Sequence, residues 1–340
     1  MPRDALPVLM SIKRFASRCV HWVLAVSGGT LLLFTILAYA APWWWVFAGF
    51  EAFRIQTSLG LTAIAVAQAI LPRRRWLSIV WLAGVLINAI AVLPWTTAAP
   101  NHAPPADAPT LRVMQLNVQS ENRQFQRIAD HVHATQPDLV FFQEMNHLTR
   151  DHLVKHLHGY RLHTDANDSG GRGIGLFVPQ DSTLDIRTNI IPVHSDQRPR
   201  QFVHAEVQTA QGPIHLLSVH IRRPGNDAAA LVQQRELNAI AQWAEPFAQT
   251  PAALIALGDF NMVPWSHGLR KLRHNTGLTP ARQAWHTPTW PITLPRVARV
   301  TIDLAIHTPA IQTSNYHTGP DLGSDHLPLH LDIRLVPHNP

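Results

Sequence analysis

The placement of apolar residues constrains this chain most. Nearly every long apolar run falls before Trp95, although the 46% apolar content of the 340 residues is ordinary when averaged. Val20 to Ala41 is apolar for about the twenty residues a bilayer-spanning helix needs, and it follows Lys13, Arg14 and Arg18. Trp43, Trp44 and Trp45 then read as an aromatic belt at a membrane surface. Ile55 to Leu71 is a second, shorter run preceded by Glu51 and Arg54, and Trp76 to Trp95 is a third of about membrane length. The expectation is an all-α transmembrane region over residues 1–95, with helices at 20–41, 55–71 and 76–95. Ala38-Tyr39-Ala40 resembles a signal-peptidase site, but the run before it is long for a cleaved signal, so retention is expected.

Charge supports this division. The net charge is +6, and residues 1–110 carry eight Lys/Arg against three Asp/Glu, leaving a net of about +1 beyond Thr110. The basic surplus therefore belongs to the front of the chain, and the rest carries no overall nucleic-acid signal. The cluster Lys13 to Arg18 and the turn Arg73-Arg74-Arg75 both belong on the cytoplasmic side by the positive-inside rule. With three spans, everything after Trp95 lies outside the cytoplasmic (inner) membrane, on the periplasmic side; if the second run fails to cross, that sidedness inverts. Cys19 is the only cysteine, which excludes a disulfide framework and a cysteine-ligated zinc site.

Residues 96–110, with Pro100, Pro104, Pro105 and Pro109, read as an extended Pro/Ala linker. From Leu111 to Pro340 short β-rich runs alternate with helical stretches, an α/β pattern large enough for its own core. Strands are expected at Leu111 to Val118, Leu139 to Gln143, Ile174 to Val178, Phe202 to Gln208, Ile214 to His220, Ala252 to Leu257, Val300 to His307 and Leu327 to Leu335. Helices are expected near Arg123 to Ala134 and over Asp227 to Ala248. The latter would be capped by Asn226 or Asp227, with Leu231, Ile240, Trp243 and Phe247 turned to the core.

The chemistry-bearing residues collect at strand ends, where α/β folds build sites. Asn117, Glu144, His220, and Asp259 with Asn261 each end or follow an expected strand. Hydrolysis of a phosphodiester needs a hard cation on oxygen ligands, a group that orients and deprotonates water, and donors for charge developing on the phosphoryl oxygens. Carboxylates Glu144, Asp259 and Asp325, amides Asn117 and Asn261, and imidazoles His220 and His326 offer that set.

In order along the chain, Leu116-Asn117-Val118, Pro137-Asp138 through Gln143-Glu144, Ser218-Val219-His220, Gly258-Asp259-Phe260-Asn261, Ile302-Asp303 and Ser324-Asp325-His326-Leu327-Pro328 resemble the endonuclease/exonuclease/phosphatase superfamily. The resemblance spans most of Arg112 to Arg334. It implies a DNase I-like four-layer α/β sandwich, two mixed sheets flanked by helices, and a hydrolase dependent on Mg²⁺ or Mn²⁺. Glu144 would be the principal metal ligand, with Asn117 and Asp325 beside it. Asp303 would orient and charge His326, Asp259 would position or deprotonate water, Asn261 would donate to a phosphate oxygen, and His220 would face the phosphate. Which of Asp259 and His326 is the base stays open. Two positions depart from the family pattern, Val219 where many relatives carry Thr and Leu304-Ala305-Ile306 after Asp303, and neither removes a catalytic group.

Single motifs are weak. Gly-Asp-Phe-Asn alone reads equally well as a turn, and most of the 21 histidines, His131, His133, His156 and His158 among them, are expected on the surface. Gly170 to Gly175 reads as a loop into a strand with Arg172 as a phosphate contact, and Arg200, Arg222 and Arg223 as surface residues of similar potential. The expected substrate is DNA or RNA, with a phospholipid or sphingomyelin-type head group or a small phosphate ester as the rival. A catalytically idle binding protein would have lost a ligand, and none is lost.

Overall fold

A computed structural model describes residues 5–71, 74–95, 110–166, 173–193, 200–281 and 287–336, in two compact units divided after Pro94. Gly170 to Arg172 lie outside the described residues, as does all of the linker except Thr110.

The first unit is helical: α1 (Ala5–Leu37), α2 (Ala48–Ala52), α3 (Arg54–Ile70) and α4 (Leu77–Val92). Its contacts fix helix directions. Thr35 and Gly28 of α1 meet Asn88 and Trp81 of α4, so α1 and α4 run parallel, whereas His21 at the middle of α1 meets Gln68 near the end of α3 and the later Leu31 meets the earlier Gly60. α3 therefore returns antiparallel to both. Close approach depends on small residues: a Cβ on Gly28 would come 2.7 Å from Trp81, and one on Gly84 2.9 Å from Leu61.

This unit mixes polar groups with Leu61, Ala65 and Trp81 inside and is largely apolar outside. Trp22, Val26, Leu33, Leu59, Val66, Ile79, Leu82 and Leu86 are exposed, while Glu51, Arg54, Gln68 and Asn88 are buried. Arg54 donates to Asn88 Oδ1 at 3.0 Å and lies over the Tyr39 ring, and Asn88 donates to Thr35 Oγ1 at 2.8 Å. Phe15–Ala40 and Leu77–Trp95 are long and apolar enough to cross a membrane; α3, at 17 residues, is shorter because Arg54 opens it and Leu71 ends it.

The second unit begins with β1 (Leu111–Asn117), α5 (Phe125–Thr135), β2 (Leu139–Gln143), α6 (His147–His156), β3 (Tyr160–Ala166) and β4 (Ile174–Pro179). It continues with β5 (Ile186–Val193), β6 (Arg200–Thr209), β7 (Gly212–His220), α7 (Asp227–Ala244), β8 (Ala253–Asp259) and α8 (His267–Thr276). The last strands are β9 (Thr279–Pro280), β10 (Asp303–His307), β11 (Ile311–Thr318) and β12 (Leu329–Leu335). They form two six-stranded mixed sheets, β11-β12-β1-β2-β4-β3 and β5-β6-β7-β8-β10-β9, flanked by helices in a DNase I-like fold. Each sheet has one parallel pair near its middle, β1 with β2 and β7 with β8.

Strand periodicity sorts the core. On β2, Leu139 and Phe141 join the core that the two sheets share, while Val140 and Phe142 pack with Phe125, Ile128 and Val132 beneath α5. Burying β2 on both faces explains its unbroken apolar run. Asn226 caps α7 by accepting from Ala229 N at 2.8 Å, and Ile240 and Trp243 are buried, but Leu231 is 57% exposed. Leu231 falls on the opposite face of α7 from the buried stripe of Ala229, Glu236, Ile240 and Trp243. The sequence reading also missed β3, β5, β11, α6 and α8, whose patterns are half-exposed or short.

Candidate active site

Register places the site. His220 is the partner of Asp259 across the parallel pair β7 and β8, and Asp303 is the partner of Asp259 across β8 and β10. Residues in register share a face, so three neighbouring strands hold these side chains in one row. From the other sheet, Asn117 ends β1, and Glu144 follows Gln143, its register partner on β2. The site lies at the carboxyl ends of the two parallel pairs, where open α/β sheets bind ligands.

Local backbone geometry holds the row in place. Gly258 has φ +141°, and a Cβ there would fall 1.9 Å from Val219 O, so only glycine lets β8 approach β7 this closely before Asp259. Glu144 (φ +57°) and Asn261 (φ +49°) both adopt the left-handed conformation, which costs non-glycine residues about 1–3 kcal/mol and persists where surrounding contacts enforce it. Asn261 is enforced: its N–H donates to Asp259 Oδ1 at 2.8 Å, and its Nδ2 to Ile221 O at 2.9 Å and Asp259 Oδ2 at 3.1 Å. Its amide hydrogens therefore serve Asp259 and the backbone.

The Ser324–His326 segment closes the site. Ser324 Oγ donates to Asn117 O at 2.6 Å and accepts from His326 N at 3.1 Å, and Asp325 N donates to Gln119 Oε1 at 3.0 Å. His326 Nδ1 lies 2.8 Å from Asp303 Oδ2, and its Nε2 lies 3.9 Å from both Asp259 Oδ2 and Asp325 Oδ1. Opposite, His220 Nε2 stands 3.7 Å from Glu144 Oε1 and 3.7 Å from Asp259 Oδ2. Asn117 Nδ2 bridges Glu144 Oε1 (3.0 Å) and Asp259 Oδ2 (3.1 Å). All eight residues expected from the sequence thus converge on one site.

Burial and charge divide the labour. Burial pushes the Asp259 carboxyl up to about 7, reinforced by Asp303 and opposed by the His326 cation. For His326 burial works against the imidazolium, but Asp303 and Asp259 together outweigh it and raise the ring to about 10. Near neutral pH the pair is therefore an imidazolium beside a carboxyl poised to gain or lose a proton.

The donor chemistry fits a hard divalent cation. Glu144 and Asp325 present partly exposed carboxylates, their side chains 27% and 38% exposed, at the open side of the site. Asp259, Asp303 and His326 also bring three ligand atoms within 4.8 Å of one another, but that closeness reflects the Asp303–His326 hydrogen bond, which commits both groups to each other. Asn117 Oδ1 accepts from Gln119 N at 3.0 Å and its nitrogen faces the carboxylates, so in this orientation it holds Glu144 in place beside the cation position.

Other residues escaped the sequence reading. Trp290 Nε1 donates to Asp325 Oδ2 at 2.9 Å, and Arg223 lies over the Trp290 ring. Arg200, expected at the surface, is buried between Glu236 of α7 and the His220 carbonyl, with Glu236 also accepting from Arg222 N. The signal for this buried pair was weak: Glu236 is a lone acid on an otherwise apolar and amide helix face.

The chain belongs to the Endonuclease/Exonuclease/phosphatase family, whose model matches residues 114–326. Members of this family hydrolyse phosphoester bonds. No curated protein sequence matches. Solved structures share the fold: a conserved protein of unknown function from Enterococcus faecalis is 14% identical, with a TM-score of 0.55, over 66% of this chain and 100% of that one. An endonuclease/exonuclease/phosphatase from Bacteroides vulgatus is 19% identical, TM-score 0.54, covering 67% and 100%. Danio rerio TDP2 complexed with a single-strand DNA product is 18% identical, TM-score 0.53, covering 66% and 99%.

Proposed function

We propose that this chain is a membrane-anchored, Mg²⁺- or Mn²⁺-dependent phosphodiester hydrolase. The row of His220, Asp259 and Asp303 facing Asn117 and Glu144 across the two sheets, closed by Asp325 and His326, carries this reading. Glu144 and Asp325 would hold the cation, which when bound polarises a phosphoryl oxygen. Asp259, with its carboxyl near 7, takes the proton of the attacking water, since a base works best when its pKa lies near the operating pH. His326, kept cationic by Asp303, faces the charge that develops on the phosphoryl oxygens, and His220 faces it from the other side. Asn117 and Asn261 keep the Asp259 carboxylate oriented.

The helical unit supports the anchor. Apolar side chains outside and hydrogen-bonded polar ones inside suit a surrounding hydrocarbon solvent. Because α1 and α4 run parallel, a chain crossing a bilayer through both must return through α3, which favours three spans and a periplasmic site. The test is full-length protein in detergent micelles with supercoiled plasmid, a chromogenic phosphodiester and short-chain phospholipid, each with and without Mg²⁺. Metal-dependent hydrolysis that disappears in Asp259→Ala is expected; activity unchanged in that variant and in His326→Ala would overturn the assignment.

A phospholipid head group is the second reading, favoured by a linker of only fifteen residues between the anchor and Leu111. Turnover of the phospholipid alone would select it. The structural likeness to a TDP2 bound to single-strand DNA favours the nucleic-acid reading.

A further inference from the structure

We infer that His204, Glu206 and His215 form a second metal site, on the outer face of the second sheet, for a borderline divalent cation such as Zn²⁺, Ni²⁺ or Co²⁺. The placement follows from strand geometry. His204 and Glu206 are two residues apart on β6 and so share a face, and Glu206 is the register partner of His215 on β7. His215 also shares that face with Leu217 and Val219, whereas His220 points from the opposite face toward Glu144. The cluster is thus separated from the hydrolytic site by the thickness of a sheet.

The separations suit common ligation. His204 Nε2 lies 3.3 Å from His215 Nδ1, and His215 Nδ1 lies 3.7 Å from Glu206 Oε2. Two nitrogens bonded at about 2.0–2.1 Å to one tetrahedral ion stand about 3.3–3.4 Å apart. The rings stack at 26° and 5.5 Å between centroids, beneath Trp243 and Phe247 at the end of α7, which screen the imidazoles from water. Gln208 Nε2 donates to Glu206 Oε1 at 2.6 Å, leaving Oε2 directed to His215. The three ligand atoms do not yet form a closed set. Glu206, its side chain 25% exposed, has room to swing its carboxylate toward His204 and close it.

The donor set chooses the ion. Two imidazoles and one carboxylate favour Zn²⁺, Co²⁺ or Ni²⁺ over Mg²⁺, which prefers an octahedron of oxygens. An ion here would staple β6 to β7 directly under the end of α7.

The test is Zn²⁺ titration of chelator-stripped, full-length protein in detergent micelles under saturating Mg²⁺, repeated in Glu144→Gln so that binding at the hydrolytic site is distinguished. One Zn²⁺ equivalent is expected in both. Loss of a direct ligand in His204→Ala or His215→Ala should weaken it by about 100-fold or more, and Glu206→Gln by roughly 10-fold. Equal affinity in all of these, or loss only in Glu144→Gln, would overturn the proposal. X-ray absorption at the zinc edge of the unaltered protein guards against misfolded variants: an oxygen-only shell refutes the site.

Discussion

The two units place polar groups by the same rule and reach opposite architectures. In the α/β unit Phe141, Phe142, Phe177 and Phe202 are buried, and ionisable groups enter the interior mainly at the candidate site and in the Arg200–Glu236 pair. In the helical unit many large apolar side chains are outside, and Glu51, Arg54, Gln68 and Asn88 are inside beside Leu61 and Trp81. Small residues and interhelical hydrogen bonds hold the helices together, as the proposed lipid surroundings, which lack water's drive to bury hydrocarbon, would require. Burial of a charged residue is therefore evidence of function only after its solvent is known.

The largest expected effect tests whether a buried polar side chain means chemistry in one unit and packing in the other. Asp259→Ala and His326→Ala should each lower metal-dependent phosphodiester turnover by about 10²–10⁴-fold, while Asn88→Leu leaves it unchanged. Equal losses in all three would erase the distinction. Asp303→Asn sharpens it through the pH–rate profile. Asp303, with help from Asp259, raises the His326 imidazolium to about 10, so a rate that needs the cation is retained below that pH and lost above it. With Asn the alkaline loss should begin closer to the ordinary imidazole value of about 6.5, and an unmoved limb would rule out a cationic role for His326.

The next effect concerns solvent. Leu86 and Leu231 are both exposed leucines on helices, at 60% and 57%. Leu86→Arg should cost about 2.5–3.5 kcal/mol of membrane insertion, read as the inserted fraction in a glycosylation-mapping assay. Leu231→Arg, on a water-facing helix, should stay within about 0.5 kcal/mol by thermal melting. Full insertion of Leu86→Arg would mean that the helical unit does not meet lipid at that position.

How much of this was legible beforehand follows from the range of each interaction. Long apolar runs showed the helical unit, and ordered strand-end motifs showed the site, because both are written locally in the chain. The inward turn of Arg54 and Asn88 was not legible, since it depends on which helices meet. Neither was the burial of Arg200, whose partner Glu236 lies 36 positions away on α7. The orientation of Asn117 was not legible for a similar reason: its amide is held by Gln119 N and by Asp259, 142 residues downstream. Half-exposed strands such as β3 and β5 were missed because their alternation is weak until a partner strand supplies the burial.

The smallest effect is one that only a water-facing unit can show. His330 on β12 stands 2.8 Å from His131 Nε2 on α5 and stacks on His317 of β11. Burial lowers it to about 3, helped by the charges His131 and His317 would carry. The native state thus favours the neutral ring, whereas the unfolded chain takes up a proton near 6.5. Stability from this group is complete above about pH 6.5 and is lost as pH falls toward 3, at about 1.4 kcal/mol per pH unit. At roughly 2–4 °C per kcal/mol for a unit of this size, the melting temperature of the α/β unit should fall measurably between pH 6.5 and 4.5. His330→Leu should flatten that slope even if it changes the melting temperature at pH 8. Parallel slopes for the two proteins would mean that the His131–His330 contact relaxes before it titrates, and the acid sensitivity would then belong to other buried histidines such as His307.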